Sequence, residues 1–212
     1  MTPSSPMGGQ PVHLWSLSED VAVRASADTV VLTGRFGSEK LDDPSPVVRE
    51  VLRRMELGPI LPANVAADYA DGDGVCLLLL PTLSRLSHMT VRTLSVDDLK
   101  GPLLSVSPES RQATFDPEEL SGDDLLRLPR DVRLTLGDAG ISLASPASLH
   151  RVVLHRPEAV WVVAMLAWPV TPGAATEALP LHPDVTDGIL RYLAAAGMAQ
   201  PVAGHPRRFG AR

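Results

Sequence analysis

Apolar positions along this chain change period in a fixed order, from two residues to 3.6, and the order occurs twice. In the first stretch, Val21 to Ala25 and Thr29 to Thr33 are alternating or β-branched runs split by a short Ala-Asp turn, which predicts a hairpin. A third strand is expected over Ser38 to Leu41. Asp42-Asp43-Pro44 leads into a helix over Ser45 to Leu57, in which Val47, Val48, Val51, Leu52 and Met55 share one face, and Gly58 stands where that helix should stop. Two more helices are expected at Pro62 to Ala70 and Asp73 to Leu86. The latter carries Val75, Leu78, Leu79, Leu83 and Leu86 on one side.

The second stretch repeats the plan. Val132 to Leu136 and Ile141 to Ala144 read as strands around Gly137-Asp138, and His150 to Leu154 as a third. Pro157 opens a helix to Ala167, at a first-turn position that tolerates a missing N–H. That helix is apolar nearly all round (Val160, Trp161, Val162, Val163, Met165, Leu166), so it is expected at the buried centre, with Trp168 closing the bottom of the core. Helices at Pro172 to Leu179 and Asp184 to Ala196 follow. Val185, Ile189, Tyr192, Leu193 and Ala196 form the stripe of the last, with Asp184 as N-cap and Gly197 at C′. Landmarks repeat as well: Leu41-x-x-Pro44 matches Leu154-x-x-Pro157, and Pro59-x-x-Pro62 matches Pro169-x-x-Pro172.

An internal repeat of this kind outweighs local propensity when a fold is assigned. The expected class is α+β: two tandem winged-helix-like modules, each a three-stranded antiparallel sheet plus three helices. They should span residues 12–122 and 123–202, with a flexible tail at 1–11 and a flexible basic tail at 203–212. Between the repeats, strands at Met89 to Leu94 and Leu103 to Ser107 are expected to finish the first module as its wing, and Leu120 to Leu128 reads as a linker.

Composition narrows the function classes. The 212 residues are 44% hydrophobic and 21% charged, as in a packed globular protein. The single cysteine, Cys76, excludes a disulfide framework within the chain and any multi-cysteine zinc cage, and its apolar setting (VCLLLL) predicts an inert core thiol. Without a signal-like start or an apolar run of about 20 residues, the expected location is the cytoplasm. A formal charge of −6 opposes a nucleic-acid surface, whose affinity rests on phosphate neutralisation. Arg49, Arg53, Arg54, Arg207, Arg208 and Arg212 read as solvated charges.

Catalytic and metal sites are not expected. No GxGxxG or P-loop pattern occurs, and the six histidines lack HxxxH and HExxH spacing. His150 and His155 should face opposite sides of the sheet. Ser87-His88 lacks a glycine elbow. The carboxylate pairs Asp42-Asp43, Asp97-Asp98, Glu118-Glu119 and Asp123-Asp124 fall in turns. Recognition is the remaining class, and two surfaces offer it. A third helix entering a DNA groove would need basic or amide side chains, yet Arg191 and Arg85 are the sole basic residues on the two third helices, which leaves a DNA-binding regulator as an alternative. The open edge of a three-stranded sheet accepts an extended peptide. In the second module His150, Arg151, Val152, Val153 and Leu154, with Ile189, Tyr192 and Leu193 of the third helix, would line such a groove. The same apolar residues are also what a small core requires.

Three segments carry a family resemblance: Trp15 to Val21 (WSLSEDV), Leu41 to Pro59 (LDDPSPVVREVLRRMELGP) and Pro102 to Phe115 (PLLSVSPESRQATF). They resemble the N-terminal region of actinobacterial SagB-type dehydrogenases, flavin-dependent azoline oxidases of ribosomal peptide natural-product pathways. His150 to Pro172 and Leu190 to Met198 are similar both to that region and to the PqqD-like precursor-recognition fold. The resemblance implies a non-catalytic recognition or scaffold protein of thiazole/oxazole peptide maturation. It would bind a precursor leader peptide, dock an FMN-dependent dehydrogenase, or do both, with a homodimer as a further option. Full-length family members continue into a nitroreductase-like domain that holds FMN. No such domain lies before Arg212, so the flavin is expected in a partner and no cofactor in this chain. A subunit or fragment of the oxidase is the alternative the resemblance leaves open.

Overall fold

The strand β1 (Pro11–Leu17) precedes a meander of β2 (Ala22–Ala25), β3 (Thr29–Gly34) and β4 (Gly37–Asp42), followed by helices α1 (Pro46–Leu57), α2 (Pro62–Ala67) and α3 (Gly72–Arg85). A 3-10 turn at Ser87–Met89 leads to β5 (Thr90–Val96), β6 (Leu104–Pro108) and β7 (Leu126–Arg127). A second meander of β8 (Arg133–Gly137), β9 (Gly140–Ala144) and β10 (His150–Leu154) feeds α4 (Pro157–Met165), α5 (Pro172–Ala178) and α6 (Pro183–Ala195), and β11 (Gln200–Pro201) closes the succession. This computed structural model describes residues 9–69, 72–98, 100–138 and 140–202, with backbone placement alone at 66–67 and 72–78. The chain is thus α+β, and three strands followed by three helices occur twice in it. The side chains of Val75, Cys76 and Leu78 and the expected basic tail at 203–212 lie outside the described residues.

Helix α1 shows how local sequence sets the elements. Pro46 fixes the first turn, and Val47, Val48, Val51, Leu52 and Met55 are buried along one stripe. Arg49 reaches back to the β2–β3 turn and donates to the carbonyls of Ser26 and Ala27, both at 2.7 Å. That arginine is a strut between helix and hairpin, whereas Arg53 and Arg54 pair with Glu50 on the outer face. The first core gathers these residues with Val30, Leu32, Leu41, Leu79, Leu83 and Leu86. The second gathers Leu143, Val152 and Leu154 with Val162, Val163, Leu166, Ile189, Leu190 and Leu193.

Two bridges give the repeat a spatial counterpart. Trp15 and Ile60 exchange backbone hydrogen bonds of 2.8 and 2.9 Å, and Leu126 and Val170 do the same at 2.8 and 2.9 Å. Ile60 and Val170 sit inside the repeated Pro-x-x-Pro landmarks, so in each half a strand entering from upstream ties down the link between the first and second helices.

Where the halves meet, the structure departs from the sequence reading. Strands β5 and β6 do not finish the first meander as a wing. They join a six-stranded antiparallel sheet in the order β1-β5-β6-β10-β9-β8, while β2-β3-β4 form a separate three-stranded sheet. The expected boundary near residue 122 therefore falls between strands of one sheet. The expected linker contains a strand, β7, which pairs with β11; β1 begins at Pro11, the last residue of the expected tail, whose residues 1–8 lie outside the described ones. Helix α4 is not buried all round. Ala159, Val162, Val163 and Leu166 face the core, but Trp161 is 44% and Trp168 73% exposed, because one stripe of a nine-residue helix covers the sheet and the opposite side has nothing to pack on. The N-cap of α6 is His182 instead of Asp184: its Nδ1 accepts from the Asp184 amide at 3.3 Å, with Pro183 at the first turn. Gly197 does take the left-handed conformation expected at C′, with φ +71°. None of the helices among the described residues is long and apolar enough to cross a membrane.

Gly140 carries the tightest backbone approach. Its φ is +124°, and a Cβ there would lie 2.2 Å from the Leu154 carbonyl oxygen. Gly140→Ala should cost at least about 2 kcal/mol, through left-handed strain and displacement of β10. Gly122→Ala, where an added Cβ meets nothing within 4 Å, should stay within about 0.5 kcal/mol of the parent. Urea midpoints of the two variants measure the difference.

Candidate peptide-docking edges

The residues expected to line a groove in the second half do converge. Val152, Leu154, Ile189, Tyr192 and Leu193 share one buried cluster, with relative exposures of 2% or less. The open edge expected beside them is not there. Strand β10 is interior, paired with β9 on one side and with β6 on the other, from His150↔Pro108 to Leu154↔Leu104. The pairing runs past the strand ends, since Glu109 N–H donates to the Leu149 carbonyl at 2.7 Å and His155 N–H to the Leu103 carbonyl at 2.9 Å. The correction has a simple cause: Leu104 and Val106 are buried at 0% and 1% and drop into the cluster, while Ser105 and Ser107 face the other side of the sheet. The chain supplies its own added strand. Arg151 lies on that other face and pairs with Glu109 (3.1 Å).

Around the inner end of α6 the cluster turns aromatic. The Arg92 guanidinium stacks on Trp15, 3.4 Å from the ring centroid, and also faces Phe115 at 5.3 Å. Tyr192 contacts Phe115 edge-on and stacks on His13, whose Nδ1 is 3.0 Å from the Tyr192 hydroxyl. Arg92 and the Tyr192 hydroxyl interact directly, while Arg92 Nε is buried with no hydrogen-bond partner. Burial, above all, lowers the Arg92 pKa and raises that of Tyr192. The π faces thus hold a largely desolvated cation between β5 and α6. His150 packs edge-on against Phe115. Nothing in residue order links Trp15, Arg92, Phe115 and Tyr192, and the sequence offers no signal for the cluster.

The equivalent edge in the first half is open among the described residues. Strand β4 pairs with β3 alone, from Thr29↔Asp42 to Gly34↔Gly37. The two-residue turn at Arg35-Phe36 makes Gly34–Gly37 a hydrogen-bonded pair, which turns the backbone groups of Ser38, Lys40 and Asp42 outward. One of these groups is covered by a side chain: Arg85, at the end of α3, donates to the Lys40 carbonyl at 2.9 Å and to Glu39 Oε2 at 2.9–3.0 Å. Arg111 reaches Glu39 Oε1 at 3.4 Å from the chain following β6. Glu39 is 13% exposed, while Arg85 and Arg111 are 51% and 63% exposed. Two guanidinium groups therefore share one carboxylate. Matching Leu41 with Leu154 would have pointed to Glu39 as the counterpart of Val152.

A groove of about 910 Å³ runs along the face of the large sheet away from α4–α6, with Thr93, Ser105 and Ser107 on its floor and Glu56, Arg35 and Arg151 among its walls. Ser105 Oγ and His155 Nε2 lie 2.9 Å apart there. The amides of the strands beside it are spent in the sheet.

Two histidines couple this region to pH. Burial lowers the pKa of both His13 and His150 from the ordinary 6.5, and the Arg92 and Arg191 charges lower His13 further. Below about pH 6.5 the unfolded chain takes up protons that the folded chain refuses. The stability these neutral rings contribute is therefore complete above that pH and is lost as pH falls through the folded-state values. Thermal midpoints should drop on acidification, and a double variant carrying His13→Asn and His150→Gln should lose less over the same interval; equal losses would show that other groups control the acid limit.

No protein-family model matches the chain, and no curated protein matches it either.

Proposed function

We propose that the chain is a recognition protein that takes an extended peptide as an added antiparallel strand on the outer edge of β4, against the end of α3. One observation carries this reading: the second half already holds such a strand, β6 on β10, at the edge that corresponds to β4. Strand addition of this kind draws affinity from backbone hydrogen bonds and selectivity from alternate side chains.

The pairing of β6 supplies a register. Leu104 lies opposite Leu154, and Val106 opposite Val152. With Leu154 matched to Leu41, a peptide on β4 would place one inward side chain opposite Leu41, which is 7% exposed, and the next inward side chain, two residues later, opposite Glu39. The first should be apolar. The second meets two arginines and one carboxylate, so an acidic side chain is favoured there, taking over part of the Arg85 and Arg111 fork. Release of Arg85 from the Lys40 carbonyl costs about 1 kcal/mol, the net worth of a typical hydrogen bond.

In biological terms, the peptide would be the leader of a ribosomally made precursor in azole-type maturation, and each half would be a PqqD-like, winged-helix-like module. The resemblance of residues 15–21, 41–59, 102–115 and 150–172 supports this, as does the recurrence of three strands and three helices. The flavin chemistry would then belong to a partner dehydrogenase docked on this chain, working in the cytoplasm.

Titration with synthetic leader peptides from precursors encoded beside the gene tests the reading by amide NMR. Shifts should centre on Ser38, Lys40 and Asp42, with His150 to Leu154 unmoved. Lys40→Pro, which removes an outward N–H, should weaken binding by roughly tenfold. Binding should weaken similarly when the peptide's acidic residue is changed to lysine. Shifts confined to β10 and α6, or none with any such leader, would overturn it.

A further inference from the structure

Among the described residues the large sheet ends in another open edge, on β8, and this one is complementary to itself. All five residues of Arg133–Gly137 are exposed, Leu134 by 54% and Leu136 by 82%. Large apolar side chains at such exposure on an unpaired edge strand are what soluble proteins ordinarily avoid. Strand β8 pairs with β9 through Gly137↔Gly140, Thr135↔Ser142 and Arg133↔Ala144. The two-residue turn fixes these as the hydrogen-bonded pairs. The bonds of β10 to its other neighbour, at Leu149 with Glu109 and His155 with Leu103, give the same phase when followed across the sheet. The outward backbone groups of β8 therefore belong to Leu134 and Leu136.

From this phase we infer that a second copy of the chain covers the edge, with β8 pairing antiparallel to its own mate about a two-fold axis through Thr135. An outward residue must meet an outward residue. Centring on Thr135 sets Leu134 against Leu136 of the other copy, and the reverse, forming four backbone hydrogen bonds. A two-fold axis centred on Leu134 would set Leu136 against Val132, which lies outside the strand and packs against the core, and one centred on Leu136 would set Leu134 against Asp138. The two-fold axis runs perpendicular to the sheet, so all four leucines fall on the face that carries α4 and α6 in both copies. Arg133 meets Gly137 of the mate, next to the Asp138 carboxylate of its turn, so opposite charges adjoin at both ends of the contact. Two six-stranded sheets become one continuous sheet. None of this depends on the peptide reading of β4.

Light scattering and sedimentation of the full chain at high micromolar concentration test the inference. A dimer is expected, dissociating at least about tenfold more readily in Leu136→Pro, which removes an outward N–H and leaves the pairing to β9 intact. Leu134→Lys with Leu136→Lys should do the same without touching the backbone. In a Cys76→Ser background, Thr135→Cys should form a disulfide between copies, since facing Cα atoms at a non-hydrogen-bonded site lie about 4.5 Å apart, within disulfide reach. Arg133→Cys should not. Four results would overturn the proposal: a monomer throughout; a dimer indifferent to both leucine variants; equal cross-linking at 133 and 135; or a monomer whose β8 amides respond to added peptide, which would give the edge to a foreign strand.

Discussion

The pairing of Leu104–Pro108 with His150–Leu154 is the constraint on which the rest of the structure depends. Without it, the second meander would be a three-stranded sheet like the first, with an apolar cleft between its last strand and its last helix. With it, β5 and β1 follow β6 into the same sheet, and α6 packs over them. Through β1, at the far edge of that sheet, the Trp15–Ile60 bridge fastens the first half. One strand addition thus turns two repeats into a single structure.

The same pairing explains why the halves differ at corresponding positions. Val152 can be apolar because Val106 and α6 cover it. Its counterpart Glu39 sits on a strand paired on one side only among the described residues, and a charged side chain directed inward is a common defence of an edge against indiscriminate pairing. Here the charge is met by Arg85 and Arg111. The edge on β4 carries a charge met by arginines, the edge on β10 is filled by β6, and the edge on β8 carries leucines.

Much of the fold was legible in the sequence. The strands of both meanders and all six helices follow from hydrophobic period, from Pro at first turns and from Gly at helix ends, because those signals act over a few residues. What stayed hidden is partner choice. Leu103 to Ser107 alternates whether it pairs with the first half or the second; only Leu104 and Val106 in a cleft forty-odd residues away decide it. β7 and β11 escape a pattern search because each has two residues, β1 because the strand it pairs with, β5, is remote in sequence, and Trp161 and Trp168 because composition alone does not say which side of a helix faces a partner. The aromatic clasp on Arg92 joins residues from four separate segments, beyond the reach of any local pattern. Glu39 was within reach, had the repeat been aligned residue by residue.

The difference between the two edges is also one of effective concentration. A strand attached to its own groove acts at roughly millimolar effective concentration or higher, so a free peptide of micromolar affinity cannot displace β6 from β10. The edge in the second half is filled by the chain itself, and on the proposed reading peptides would exchange where the chain covers the edge with a side chain. At β4 that side chain is Arg85, half-exposed and paired with the mostly buried Glu39; on the proposed reading it would yield to the several backbone hydrogen bonds of an added strand. Arg111 adds a consequence, since it reaches Glu39 from the segment that continues β6, so a ligand on the first edge draws on contacts anchored in the second. The filled groove fixes the geometry, and the open groove is the one able to respond to it.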